Sequence, residues 1–235
     1  MEFSKYGIRL IRLKEENIEL VRHWRNSPQI RQYMEYREHI TPEMQKEWFR
    51  SVNNFNNFYF IIHYEGRKIG LINSSNVDWK EVTSDGGIFI WEEEYYDTFV
   101  PVWASLCLLE TDFFIFNATR SYIRTLRDNP RAITLNTHLG YELMPGQEEV
   151  YNQRYTMTRE DFEKKARKIV KAASLLVDAR DRQHVIVYDH DDFKSGLAAF
   201  MIDKMNPAMI KSFQEMAGGR KYILKSSPVS SYADE

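Results

Sequence analysis

At 235 residues, with 43% hydrophobic and 28% charged side chains, the chain is large enough for one sizeable core plus an appendage, and its composition excludes disorder except at the ends. Lys and Arg number 32 against 34 Asp and Glu, and the net charge of -2 gives no broad field for nucleic acid or an anionic membrane. The one cysteine, Cys107, excludes an internal disulfide, and it sits in the apolar run ASLCLLETDFFIF, where a small buried side chain suits a helix face.

The N-terminal stretch MEFSKYGIRLIRLKEEN lacks the basic, apolar and small-residue order of a secretory leader, and no run reaches the ~18 apolar residues of a membrane span. A cytoplasmic protein is the expectation. IRLIRL, residues 8–13, alternates as a half-buried strand, and Ile18, Leu20, Val21 and Trp24 then take helical spacing. Thr41 and Pro42 read as N-cap and first turn of a second helix through WFRSV. FYFIIHYEG (58–66), RKIGLINSSNV (67–77) and DGGIFIWEE (85–93) follow as a strand meander, with Glu65-Gly66 as a hairpin turn. An apolar helix from about Pro101 to Phe116, a strand at SYIRTL, a helix NPRAITLNTHL and a strand pair at YELMP and VYNQRYTMT complete this part.

After about residue 158 the pattern changes. TREDFEKKARKIVKAASLL is one capped amphipathic helix whose stripe is Phe162, Ala166, Ile169, Val170 and Ala173. HVIVYDH reads as a strand, DDFKSGLAAFMIDKM and NPAMIKSFQEMAG as helices with Gly218-Gly219 as a stop, KYILK as a further strand, and SSPVSSYADE as a frayed tail. The expected division is a domain of residues 1–157 and a C-terminal α/β extension of residues 158–235. His184, Asp189, His190 and Asp192 crowd around one strand without a metal-ligand spacing, Asp191 or Asp192 reads as an N-cap, and no metal site is expected.

The stretch RDNPRAITLNTHLGYEL, residues 127–143, and the upstream WRNSPQIRQYM, residues 24–34, resemble the GCN5-related N-acetyltransferases, in particular the branch that acetylates ribosomal-protein N-termini and amino sugars. The resemblance covers roughly residues 6–157. It implies an α+β fold, a central, mostly antiparallel sheet flanked by helices, and acetyl transfer from acetyl-CoA to a primary amine, with an amino sugar favoured over a protein N-terminus. The alternative is a non-catalytic domain of the same fold serving binding or assembly. A small-molecule or peptide amine is the expected partner, and a homodimer is open.

The resemblance also distributes roles. Phe89, Ile90 and Trp91 fall on the strand that flanks the acetyl-pantetheine arm, Thr98, Phe99 and Val100 on the loop that cups the pyrophosphate, and Asn129, Arg131 and Asn136 on the helix across the cleft. Trp24, Arg25 and Asn26 fall on the acceptor side. Glu92 and Glu93 follow the strand as candidate proton acceptors, since alternation sends one acidic side chain towards the cleft. Asn136 occupies the position where many relatives carry a tyrosine that protonates the departing thiolate; an amide can donate a hydrogen bond there but not an acid's proton. In the phosphate loop, Asp97, Phe99 and Pro101 stand where glycines are expected, bringing like charge, bulk and a missing N–H. Asp97 or Thr98 can instead cap the helix, which opens the question of whether the loop still takes an anion.

Overall fold

The structure, a computed structural model, describes residues 1–231. Strands β1 (Glu2–Lys5) and β2 (Ile8–Arg12) form a hairpin whose turn, Tyr6-Gly7, has both φ values positive at 58° and 74°. The chain then enters α1 (Ile18–Asn26), a short α2 (Pro28–Arg31) and α3 (Pro42–Val52). Thr41 caps α3 as its sequence predicts, its hydroxyl accepting the Met44 N–H at 3.3 Å. The meander follows as β3 (Phe58–Tyr64), β4 (Arg67–Asp78) and β5 (Thr83–Ile90), with Glu65-Gly66 forming the expected turn at φ 48° and 77°.

Next come α4 (Val100–Glu110), a π-helical turn over Thr111–Ile115, β6 (Arg120–Leu126), α5 (Pro130–Leu139), β7 (Glu142–Leu143) and β8 (Asn152–Thr158). The remainder forms α6 (Arg159–Lys165), α7 (Arg167–Leu175), β9 (Val185–Tyr188), α8 (His190–Lys194), α9 (Leu197–Lys204), β10 (Ile210–Met216), β11 (Gly219–Leu224) and α10 (Pro228–Ser231).

Among the described residues all strands join one eleven-stranded sheet in the order β10-β11-β9-β1-β2-β3-β4-β5-β6-β8-β7. Every pairing among the described residues is antiparallel except β5 with β6. Alternation divides the sheet's side chains between two apolar layers. On one face Leu13, Ile18, Val21, Ile30, Ile61, Leu71 and Trp91 pack beneath α1–α3. On the other, α4 lies across the strands with a larger core that includes Leu10, Phe60, Ile72, Phe113, Phe162 and Ile186. α4 is buried almost all round, so it carries an apolar run rather than a stripe.

Several sequence expectations change. The helix expected over 159–176 breaks at Ala166, and its stripe packs on α4 and the π turn after it: Phe162 stacks on Phe113 of that turn at 5.3 Å, and the Trp103 indole N–H of α4 donates to the Ala173 carbonyl at 3.2 Å. NPAMIKSFQEMAG is a single 3-10 turn followed by β10, and Gly218 lies in the β10–β11 turn rather than ending a helix. Met209, Phe213 and Met216 imitate helical spacing, but the hairpin with β11 supplies backbone partners that the periodicity does not reveal. Gly196, at φ 80°, divides the helix expected over DDFKSGLAAFMIDKM. Asp189, not Asp191 or Asp192, caps α8, in a capping box with Asp192. The start of the tail is held in place: Ser227 and Val229 are buried, and the part from Tyr232 onward lies outside the described residues.

Candidate functional site

β5 and β6 are paired only at their beginnings, Thr83–Gly86 against Arg120–Ile123. Beyond that point β5 continues to Ile90 and β6 to Leu126 without facing each other across a ladder. The two strands therefore open as a V, and the backbone edge from Gly87 to Ile90 is free of a strand partner on that side. A cleft of about 1050 Å³ occupies the opening and runs from α1–α3 on one face of the sheet to α4 and α5 on the other.

Two glycines keep β5 clear at the fork. A Cβ on Gly87 would stand 2.9 Å from Asn73 Oδ1, and one on Gly86 3.4 Å from Ile123 Cγ2. Asn73 is held over Gly87 by bonds from its amide to the Asp85 carbonyl and the Ser75 hydroxyl, both at 3.1 Å.

At the mouth, the first turn of α4 mostly satisfies itself. Phe99 is the N-cap, the Val100 N–H donates to the Thr98 hydroxyl at 3.2 Å, and Pro101 has no N–H to give. Asp97 does not cap the helix; it pairs with Arg131 at 3.3 Å, and that guanidinium lies 4.9 Å from the centre of the Tyr96 ring. Beside this glycine-free loop the Arg131 guanidinium is already engaged by a carboxylate.

The sequence-selected residues divide in position. Phe89, Ile90, Thr98, Asn129, Arg131, Asn136 and Arg25 line the cleft. Asn129 caps α5, accepting the Ala132 N–H at 3.1 Å, and the Asn136 amide donates to the Thr125 hydroxyl at 3.2 Å. Trp24 stacks on Trp91, centroids 5.9 Å apart, and Asn26 clips the Ile40 backbone through two bonds; these three build the wall behind the cleft. Phe99 and Val100 pack under the loop. Glu92 and Glu93 lie outside the cleft, because β5 ends at Ile90 and Glu93–Tyr95 is a 3-10 turn to which strand alternation does not apply. Glu92 bonds Arg67 at 2.7 Å, and Glu94 holds the same guanidinium.

The cleft contains a carboxyl that sequence reading passes over. Asp112, in the π turn after α4, accepts the Ser74 hydroxyl at 2.5 Å, and burial pushes its pKa up to about 7, the Ser74 bond opposing the rise. Beside it on the same face of the sheet, the Tyr141 and Ser121 hydroxyls share a bond at 2.7 Å, and burial raises the Tyr141 pKa. The signal available in the sequence was a pair of acids, Glu110 and Asp112, inside an apolar helical run. On the opposite face, two buried polar atoms, Arg25 Nε and Gln45 Nε2, have no hydrogen-bond partner among the described residues. Arg25 has no ion pair among the described residues, and burial lowers its pKa, with Tyr59 opposing. Tyr33, Tyr36, Trp48 and Tyr59 surround this half.

No helix among the described residues is long and apolar enough to cross a membrane, and no group of three or more His, Cys, Asp or Glu there could hold a metal ion. No curated protein matches the chain in sequence. Among solved structures, a domain from Methanocaldococcus jannaschii is similar with TM-score 0.55 at 22% identity, over 64% of this chain and 97% of that one. The spermidine N-acetyltransferase of Vibrio cholerae, solved with CoA and spermine, is similar with TM-score 0.58 at 17% identity, over 66% of this chain and 98% of that one. The same protein is known as a dodecamer, which aligns with TM-score 0.54 at 16% identity over 66% of this chain and 96% of that one. The sequence itself matches the model of the acetyltransferase (GNAT) domain over residues 8–142, from the start of β2 to the start of β7. That span contains the whole V, and the chain belongs to the GNAT acetyltransferase family.

Proposed function

We propose that the protein moves an acetyl group from acetyl-CoA to the primary amine of a small molecule, with an amino sugar as the favoured acceptor. The observation that carries this is the V between β5 and β6, whose free edge at Gly87–Ile90 faces a cleft open on both sides of the sheet. The edge fits an acetyl-pantetheine arm because its N–H and C=O groups need partners and Gly86 and Gly87 let an amide chain lie close. At the mouth, Arg131 would meet the phosphates in place of a glycine-lined loop.

Acetyl-CoA supplies an activated acyl group: a C–N bond forms to the amine as the C–S bond breaks, the ammonium gives up a proton, and the thiolate receives one. In this reading the free β5 N–H groups stabilise the carbonyl oxygen, and the Asn136 amide donates a hydrogen bond towards the sulfur. Asp112, its pKa near 7, takes the amine's proton, directly or through water. Glu92 and Glu93 leave that role, Glu92 instead anchoring the strand end to Arg67.

Support for the amino sugar comes from the half of the cleft beneath α1–α3. The rings of Tyr33, Tyr36, Trp48 and Tyr59 offer faces for a sugar, and Arg25 with Gln45 offers buried donors lacking acceptors. A buried guanidinium with no ion pair among the described residues disfavours a polycation such as spermine beside it and favours an acceptor carrying a phosphate or carboxylate.

Thiol release measured with a hexosamine phosphate and with spermidine, beside calorimetric titration of acetyl-CoA, tests the reading. Acetyl-CoA binding with turnover of the hexosamine phosphate is expected. Turnover of spermidine alone would overturn the acceptor assignment. Absence of acetyl-CoA binding at millimolar concentration would leave the non-catalytic module, which the self-satisfied first turn of α4 favours.

A further inference from the structure

β10 is one of the two edges of the sheet: it pairs with β11 on one side and, among the described residues, with no strand on the other. Six of its seven residues are exposed, Phe213 at 59% and Met216 at 45%, so the strand stands clear of the layer with both faces uncovered. Proteins usually blunt such an edge, because its free N–H and C=O groups accept another strand. The irregularity in the β10–β11 ladder lies between Ile210 and Ser212, at the far end from the turn, and leaves Ser212–Met216 regular.

The sequence of β10, IKSFQEM, is complementary to itself when two copies run antiparallel. Centring the pair on Phe213 sets Phe213 against Phe213 and Ser212 against Gln214 within the regular stretch, and brings Lys211, the residue at the irregularity, and Ile210 towards Glu215 and Met216. Ring meets ring, hydroxyl meets amide, cation meets anion and apolar meets apolar. Centring it one residue later sets Phe213 against Glu215 and Ser212 against Met216, which matches nothing. The backbone agrees with the first register. With the hairpin closed at Met216 and Gly219 by a two-residue turn, alternation along the ladder points the main-chain groups of Gln214 at β11 and those of Phe213 and Glu215 outward. The centre of the complementary register is thus a residue whose hydrogen-bonding groups are free.

The side chains around that centre extend the match. Tyr222 lies 5.9 Å from the Phe213 ring and the Arg220 guanidinium 5.2 Å from it, and Arg220 binds Glu215 at 2.6 Å. Lys211 has no ion pair among the described residues, and across the pair it would complete an Arg–Glu–Lys chain at each end. The strand lies outside residues 8–142, so this surface is additional to the family's shared domain.

We propose that the outer edge of β10 is a homodimer interface, in which two copies pair antiparallel about Phe213 across a twofold axis and make one sheet continuous through both subunits. The proposal is independent of the acetyl-transfer reading. Sedimentation of the full chain, of K211E and of K211E/E215K tests it. For the unaltered protein the mass should rise with concentration from 28.1 kDa towards twice that value. K211E places like charges opposite each other at both ends of the pair and should weaken association at least tenfold, whereas the double exchange should regain it; circular dichroism melting checks that each variant is folded. Hydrogen exchange should show the Phe213 and Glu215 amides protected only in the dimer. A chain that stays monomeric at 100 µM overturns the proposal, as does a dimer indifferent to K211E, a double exchange that fails to restore association, or a dimer that leaves those amides unprotected.

Discussion

Asp97 and Arg131 hold each other over the mouth of the cleft, and the pair limits what the mouth offers an anion. Both are largely exposed, so the attraction is screened and the pair opens readily. Replacing Asp97 by Asn should tighten acetyl-CoA binding roughly three- to tenfold, and replacing Arg131 by Ala should weaken it by a similar factor, both read by titration calorimetry. Asp112 gives a prediction in pH. Its folded pKa of about 7 lies above the ordinary 3.8, so its contribution is fully present below about pH 4 and is lost as pH rises to about 7. Asp112→Asn cannot ionise, so its stability relative to the unaltered protein should climb through that window and level off above it. The gain should be roughly 2–4 kcal/mol in urea unfolding, with turnover falling if the carboxyl accepts the amine's proton. Neither effect was legible in the sequence. Asp112 acquires its environment from Ser74, far away in the chain, and no local pattern announces that contact.

Where an element carries its own punctuation, the sequence described it well. α5 has Asn129 as cap, Pro130 in its first turn and Gly140 at φ 110° as its stop, and it folds within those limits. The meander likewise carried alternation and a turn dipeptide. β1 is only four residues, too short to show a period, and was missed, while β10 imitated a helix because its ladder partner was not visible. The π turn after α4 was invisible for the same reason: its irregular backbone places Asp112 under the fork, and helical spacing cannot report that. α6 supplies a test of packing at this scale. Phe162 is fully buried against Phe113 and Phe114, and Phe162→Ala should cost about 3–5 kcal/mol, seen as a lowered melting temperature.

Across the whole molecule, residues 158–231 are woven into the sheet and the core, and we propose that they are an extension on which the acetyltransferase part depends. β9 pairs with β1 through Phe3 and Ile186, and α7 covers α4. A buried polar network ties the same parts: Lys5 and Tyr6 donate to Glu110 at 2.5 Å each, as does Ser227 from the segment after β11, and the His184 ring meets Thr111 at 2.8 Å. Burial opposes the charge on Glu110, but Lys5 and its other donors bring the pKa below the usual carboxylate value; burial also holds His184 neutral, at about 3. Truncation after Met157 should therefore leave a protein of low solubility without a cooperative melt, and a soluble, cooperatively melting fragment of residues 1–157 would show that the extension is dispensable. The pairing of β1 with β9 also sets an order of events. β1 takes its second neighbour only after residue 188 has left the exit tunnel, so its outer edge stays uncovered while everything between β2 and β9 is made. The nascent chain thus carries an unpaired strand edge for as long as β9 takes to arrive, and folding yield should depend on chaperone supply and translation speed far more than the finished protein's stability would indicate.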